Sequence, residues 1–286
     1  NINMKFNHID NMKTWILAEW IPVVLMITVF MTVSCAPGQD EVKLRVMCYN
    51  IAAGHGDIDG IVEVIRRHDP DILALQEVDV HWGERSGWID QAEYLAESLG
   101  MHAYFGEIYR FEPLDGGPDE PRRYGLAYLS KEPFVHRKNH MLSRLSTQTG
   151  EPELTVLTGF PEVAIEWQGR RIHFFNTHLD FRPDPAVRTL QVAGMMAIIP
   201  EIDGPHFLIG DLNARPDAPE LEPLFSILQD TWTGQEEPGY TFPANAPDRR
   251  IDYILHSEHF QVREVIVYTT EASDHLPIVA DFVFNE

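Results

Sequence analysis

Cysteine is almost missing from this chain: there are two in 286 residues, Cys35 and Cys48. Only Cys48 lies beyond the leader described below, so no disulfide can form inside the mature domain, and stability must come from a packed core. Cys48 falls in an apolar strand pattern, where a buried inert thiol is expected. Cations are scarce too, with 22 Lys+Arg against 44 Asp+Glu and a formal charge of −22. Such a surface repels duplex DNA, which argues against a processive nucleic-acid binder but not against an enzyme that screens one phosphate locally. There is no Cys/His spacing for structural zinc and no glycine-rich lysine loop for nucleotide-driven work. No internal repeat occurs, and no low-complexity linker follows Asp40.

What is present is 44% hydrophobic residues, enough for one large domain. The first stretch stands apart: Lys13, an apolar run from Trp15 to Val33 broken by Glu19 and Pro22, then Ser34 and Cys35. This order suits a secretory signal. The segment Thr32-Val33-Ser34-Cys35 resembles a bacterial lipoprotein signal, which would make Cys35 the lipidated first residue, although Thr32 departs from the usual Leu or Val. A membrane span that stays attached is the alternative, since the run approaches the ~20 residues a bilayer needs. The expected organisation is an export leader over 1–35 and a catalytic domain over 36–286, outside the cytoplasm.

Along the domain, Val42 to Ile51 reads as a core strand, and Asp57 caps a helix with Ile58, Ile61, Val62 and Ile65 on one face until Pro70. A second buried strand runs from Asp71 to Glu77, and a second helix from Ile89 to Leu99 ends at Gly100, a left-handed cap. Phe111 to Arg123, with three Pro and two Gly, reads as a surface loop. Strands follow at 125–130, 135–142, 160–166 and 171–177, a helix between Pro185 and Ile199, a strand at 207–210 and a short helix near 220–225. The last strands are expected at 251–256, 262–268 and 277–284. Strands interleaved with helices and then with hairpins suggest an α/β fold: two mixed sheets packed as a β-sandwich with helices outside, in four layers α/β/β/α.

The polar residues of interest sit at the ends of these strands, where a rigid scaffold holds active sites. They are Asn50; Gln76-Glu77; Asn176-Thr177-His178-Leu179-Asp180; Gly210-Asp211-Leu212-Asn213; Arg250-Ile251-Asp252-Tyr253; and Ser273-Asp274-His275-Leu276-Pro277. Glu77 beside Asn50 is a hard oxygen pair suited to Mg²⁺, which takes few protein ligands. Asp211 and Asn213, two apart, turn to one side of an extended backbone. His55, His68, His81 and His102 lack partners at interpretable spacing.

Together and in this order the six segments resemble the endonuclease/exonuclease/phosphatase superfamily, which includes deoxyribonucleases, apurinic endonucleases, neutral sphingomyelinases and inositol polyphosphate 5-phosphatases. The likeness extends from Val42 to Phe284. It implies a hydrolase of phosphate esters using Mg²⁺ or Mn²⁺ held by Glu77, with Asn50 beside it and Asp274 facing the metal. Asp211 and Asn213 would orient water and phosphate, and Asp252 would hold His275 in one tautomer. His178 and Asn176 would contact the phosphate, together with Asn213 and His275. His275 could take a proton from water or bind a phosphate oxygen as imidazolium, and both roles stay open. The His178 motif fits the deoxyribonuclease, sphingomyelinase and phosphatase branches. Where apurinic endonucleases carry an aspartate two residues after the asparagine, this chain has Ala52, so a metal mode relying on that carboxylate is not expected. Asp180 is expected in the loop rather than on the metal, and Arg188 and Gln191, on one helix face, would buttress it.

For the substrate, acidity and the lack of a basic insertion favour a small organic or lipid-headgroup phosphate. A secreted deoxyribonuclease-like enzyme is the alternative, and a non-catalytic binding module a minor one. We expect a monomer, with membrane association through a lipidated Cys35.

Overall fold

A computed structural model describes residues 42–54, 56–148 and 153–285. The expected leader, Cys35 and His55 lie outside the described residues.

The first sheet grows from two strands buried on both faces, β1 (Leu44–Asn50) and β2 (Ile72–Val80), and double burial is why both read as continuous apolar runs. They pair in parallel, Val46 opposite Ile72 and Asn50 opposite Gln76. The crossover is α1 (Ile58–His68), where the Asp57 carboxylate accepts the Gly60 N–H at 2.9 Å and Ile61, Val62 and Ile65 are buried. Helix α2 (Gln91–Leu99) starts two residues after the expected Ile89, because Asp90 is its cap and accepts the Glu93 N–H at 3.0 Å. Gly100 closes it in the left-handed region.

Ten further strands follow: β3 (His102–Phe111), β4 (Arg122–Ser130), β5 (His136–Leu145), β6 (Leu154–Trp167), β7 (Arg170–His178), β8 (His206–Asp211), β9 (Gln229–Asp230), β10 (Asp252–His256), β11 (Phe260–Val267) and β12 (Ile278–Phe284). Helices α3 (Ala186–Met196) and α4 (Glu222–Phe225) complete the α-helices among the described residues, alongside four short 3-10 turns. The sheets run β11-β12-β1-β2-β4-β3 and β5-β6-β7-β8-β10-β9. Strand β3 has no counterpart in the sequence reading. It is an edge strand of mixed exposure, so it lacks the burial that makes an apolar pattern legible.

Between the sheets lies one core, with Val46, Cys48, Ile72 and Phe282 from one side and Val163, Ile172, Phe174, Phe207 and Ile254 from the other. Phe207 is its hinge, stacked on Phe174 at 5.1 Å and edge-on to Phe282 at 4.9 Å between ring centres. Cys48 is fully buried there, as expected. Helices α1 and α2 cover the outer face of the first sheet, and α3 and α4 that of the second. The four-layer sandwich is therefore present, with few helices.

Topology already gathers the site. Strands β7 and β8 run parallel with His178 opposite Asp211, and β10 runs antiparallel to β8 with Asp252 opposite the same Asp211. Gly210 permits this close approach: a Cβ there would lie 2.0 Å from the Thr177 carbonyl oxygen. Gly210→Ala should therefore destabilise the protein by about 3 kcal/mol or more, roughly 10 °C in Tm. A melting curve within about 1 °C of wild type would show that the strands tolerate separation.

On the outer face of the second sheet the buried Glu162 carboxylate accepts from His140 at 2.7 Å and from His173 at 2.6 Å, with His136 at 3.5 Å. Burial alone would raise this carboxyl, but the two imidazole hydrogen bonds and the neighbouring His charges outweigh it and hold it at about 2. Its contribution to stability is therefore present above the ordinary carboxyl value and is lost as pH falls from about 4.5 toward 2. Glu162→Gln should be less stable than wild type at pH 6, and the gap should close on acidification, as followed by thermal unfolding between pH 6 and 2.5.

Candidate active site

The Asp211 carboxylate, 1% exposed, is the hub. Its Oδ1 accepts the Asn213 N–H at 2.8 Å. Its Oδ2 accepts Asn50 Nδ2 at 3.1 Å and lies 3.5 Å from His178 Nε2 and 3.8 Å from His275 Nε2. Burial and the nearby Asp252 carboxylate push the Asp211 carboxyl up to about 6, against the pull of His275 and His178.

His275 comes from the loop before β12, and its Nδ1 faces both Asp252 oxygens at 3.0 and 3.2 Å. The Asp252 carboxylate thereby fixes the tautomer, Nδ1–H to the carboxylate and Nε2 toward Asp211. Burial by itself would lower this imidazole, but Asp252, Asp211 and Asp274 together push it up to about 10. The Phe242 ring packs on it at 4.6 Å between centres.

Glu77 sits where β2 bulges against β4, between Leu75 and Val78, at φ 55°. The bulge turns the carboxylate out of the ladder, a strained conformation of the kind kept at functional sites. Asn50 Nδ2 bridges Glu77 Oε1 at 3.2 Å and Asp211, so the acid from the first sheet and the Asp211 cluster of the second share one site.

Two expected roles change. Asn176 is fully buried and points between the sheets: its amide nitrogen donates to the Leu75 and Ala127 carbonyls at 3.0 and 3.1 Å, and its oxygen accepts from Gln76 at 2.8 Å. With both donors committed it has none for a phosphate, and it pins the two sheets together under the site instead. Asn50 offers the carboxylates its amide nitrogen, while its oxygen accepts the Ala52 N–H at 3.0 Å; it braces Glu77 and Asp211 rather than presenting a ligand oxygen. Asn213, at φ 48°, donates Nδ2 to the Leu179 carbonyl at 3.0 Å.

The Asp180 carboxylate pairs with Arg182. Arg188 donates to the Asp180 carbonyl at 3.0 Å and Gln191 accepts its N–H at 2.9 Å, the expected buttress. Sequence reasoning passed over Ser273, whose hydroxyl donates to the Asn50 carbonyl at 2.7 Å and accepts the His275 N–H at 3.2 Å, tying the two loops together. Its place in the same motif as His275 was the available signal.

Residues 47–275 match the Endonuclease/Exonuclease/phosphatase family. The chain belongs to that family. Its members are phosphoester hydrolases. The chain is 27% identical to human Nocturnin over 263 residues, covering 79% of this chain and 57% of the relative, so it spans a little over half the length of that curated protein. The human Nocturnin catalytic domain with bound sulfate superposes with a TM-score of 0.64 at 26% identity, covering 85% of this chain and 94% of that one. A family protein from Beutenbergia cavernae gives 0.67 at 25% identity, covering 85% and 72%.

Enzymes of the family are generally dependent on divalent metals, and the buried Asp211, Asp252 and His275 could hold one. The donor set fits: Asp274 Oδ1 is buried without a protein partner, a costly state for a carboxylate that a cation would relieve, and Glu77 adds a half-buried acid. Oxygen donors of this kind suit a hard cation.

Proposed function

We propose that the protein hydrolyses a phosphate ester by in-line attack of water, using Mg²⁺ or Mn²⁺ held by Glu77, with Asp274 facing the metal. The observation that carries this reading is the Asp252–His275 pair aimed at a second buried carboxylate, Asp211, whose Oδ2 His178 also approaches. When bound, the cation neutralises charge on the phosphate oxygens, the main task in phosphoryl transfer.

The chain's own residues divide the proton work. Asp211, poised near neutrality, accepts the proton of the attacking water. His275, kept as imidazolium by Asp252, donates Nε2–H to a phosphate oxygen. His178 supplies a proton to the leaving oxygen, and Asn213 sets the loop through Asp211 and Leu179.

The substrate class we favour is a small organic or lipid-headgroup phosphate. The charge of −22 supports this over a duplex, and the sulfate in the Nocturnin catalytic domain is a compact oxyanion of the same shape. We further propose that the domain works outside the cytoplasm as a monomer, tethered through a lipidated Cys35. Mass measurement of the mature N-terminus checks the tether.

The activity is tested on a chromogenic phosphodiester, a phosphomonoester, sphingomyelin and plasmid DNA, each with Mg²⁺, Mn²⁺, Ca²⁺ or chelator. Turnover of a small ester that stops on chelation is the expected result. Plasmid nicking alone would transfer the protein to the nucleases, and turnover indifferent to chelator would reject the mechanism.

A further inference from the structure

Beside the catalytic centre lies a buried cation that the reaction above does not use. Arg144, on β5, is 6% exposed, and its guanidinium pairs with no carboxylate among the described residues. It donates to two carbonyls, Nη1 to His178 at 3.2 Å and Nη2 to Gly159 at 2.6 Å, while its Nε is buried without a protein partner. Asp180, the acid in its surroundings, is already bound to Arg182. A buried guanidinium left without an anion carries a desolvation cost that two carbonyls only partly offset. Burial accordingly lowers its pKa from the ordinary value.

The guanidinium lines a small cavity of about 50 Å³, shared with Tyr109, Tyr124, Thr147, His178 and Asp180, whose carboxylate is held by Arg182. This volume exceeds what a single water needs and suits one compact polar group. The two tyrosine rings stack at 6.1 Å between centres and form one wall. There is no room for a side chain at Gly159, since a Cβ there would lie 2.5 Å from Ile108 Cγ1 and 3.0 Å from Arg144 Nη2. The cavity meets the catalytic centre at His178, the residue assigned to the leaving oxygen, so it lies on the leaving-group side.

We propose that Arg144 and its cavity form a second oxyanion subsite, and that the substrate is a phosphate ester whose leaving group carries a further phosphate. This deepens the reading above and rests on it for the side on which the leaving group sits. A planar guanidinium with free donors is the side chain best matched to such an oxyanion. The second phosphate would replace the missing counter-ion and position the ester for attack.

The test is binding, kept separate from turnover by ligands that cannot be hydrolysed. Alkane bisphosphonates with two to six carbons between the phosphorus atoms, and the matching alkyl monophosphonates, are titrated calorimetrically into the full chain with Mg²⁺. At least one bisphosphonate is expected to bind roughly tenfold or more tighter than its monophosphonate partner. Arg144→Met should erase that preference while leaving monophosphonate affinity unchanged, and Arg144→Lys should keep part of it. In the wild-type protein, the Arg144 Nε–H resonance should move with the tighter bisphosphonate and stay still with the monophosphonate, a readout that survives if the Met variant does not fold. A purely structural arginine would leave the preference intact in Arg144→Lys and Arg144→Met alike, with the Nε–H signal unmoved, and that overturns the subsite. Equal affinity of both ligand classes for the wild type does the same. Loss of ester turnover in the substrate panel, with bisphosphonate preference retained, would instead strike the catalytic reading alone.

Discussion

His275→Gln should leave a folded protein whose kcat is down by roughly a thousandfold, with KM within a few-fold of wild type. The imidazole is 5% exposed and lies between two carboxylates, so glutamine preserves a hydrogen-bond donor toward Asp252 while removing the positive charge. Alanine would also leave the buried Asp252 unpaired and so mix a folding loss with the catalytic one. The pH profile separates the roles. With Asp211 at about 6 and His275 at about 10, kcat should rise as Asp211 ionises and fall at or below the pH at which the His275 imidazolium is lost, because His178 must also keep its proton to serve the leaving oxygen. Asp252→Asn should bring the alkaline limb down toward the ordinary imidazole range. The same shift has a stability consequence of fixed sign: a raised imidazole stabilises the fold below its ordinary value of about 6.5, and that contribution fades as pH climbs toward 10. A profile in which activity grows as His275 loses its proton would reassign it as the base.

Glu77→Gln is expected to have an effect of the same order, for a different reason. The change is isosteric, and its Oε1 can still accept from Asn50 at the distance seen for Glu77, 3.2 Å, so the bulge and the fold should persist. What disappears is the negative charge proposed to hold the cation. Turnover at micromolar Mg²⁺ or Mn²⁺ should fall by about three orders of magnitude, with partial recovery at millimolar metal, and calorimetry should show at least tenfold weaker Mn²⁺ binding. His68→Ala, at the end of α1 and stacked on Tyr268, serves as the control and should change neither number. Unaltered metal affinity in Glu77→Gln would move the cation to the buried Asp211, Asp252 and His275 group.

Most of the architecture could be read from local signals because those signals and the burial agree. Asp57, Asp90 and Gly100 cap helices through their own chemistry, and β1 and β2 are apolar because both of their faces are covered. Local signals fail where exposure is mixed: edge strand β3 has no counterpart in them, and the β5–β6 hairpin extends beyond its expected ends into residues such as Leu154 and Val156 that remain exposed. The ends of β7, β8 and β10 gave His178, Asp211 and Asp252 as polar residues flanking apolar runs, and the ladder then placed them opposite one another.

By itself the sequence determined which residues are candidates for chemistry, since Glu77, His178, Asp211, Asp252 and His275 are polar groups at the ends of strands whose apolar pattern commits them to a core. Only the tertiary structure decided what each group faces. Asn176 and Asn50 lie on the same strand ends as the groups proposed for catalysis, yet one pins the sheets and the other braces two acids. Arg144 carries no motif at all, and its lack of a carboxylate partner among the described residues appears only once β5 is folded against the His178 loop. The physical reason is that residue type fixes which donors, acceptors and charges a side chain owns, whereas desolvation and the partners left within reach depend on contacts between residues far apart in the chain, such as Asn50 and Asp211, 161 positions apart.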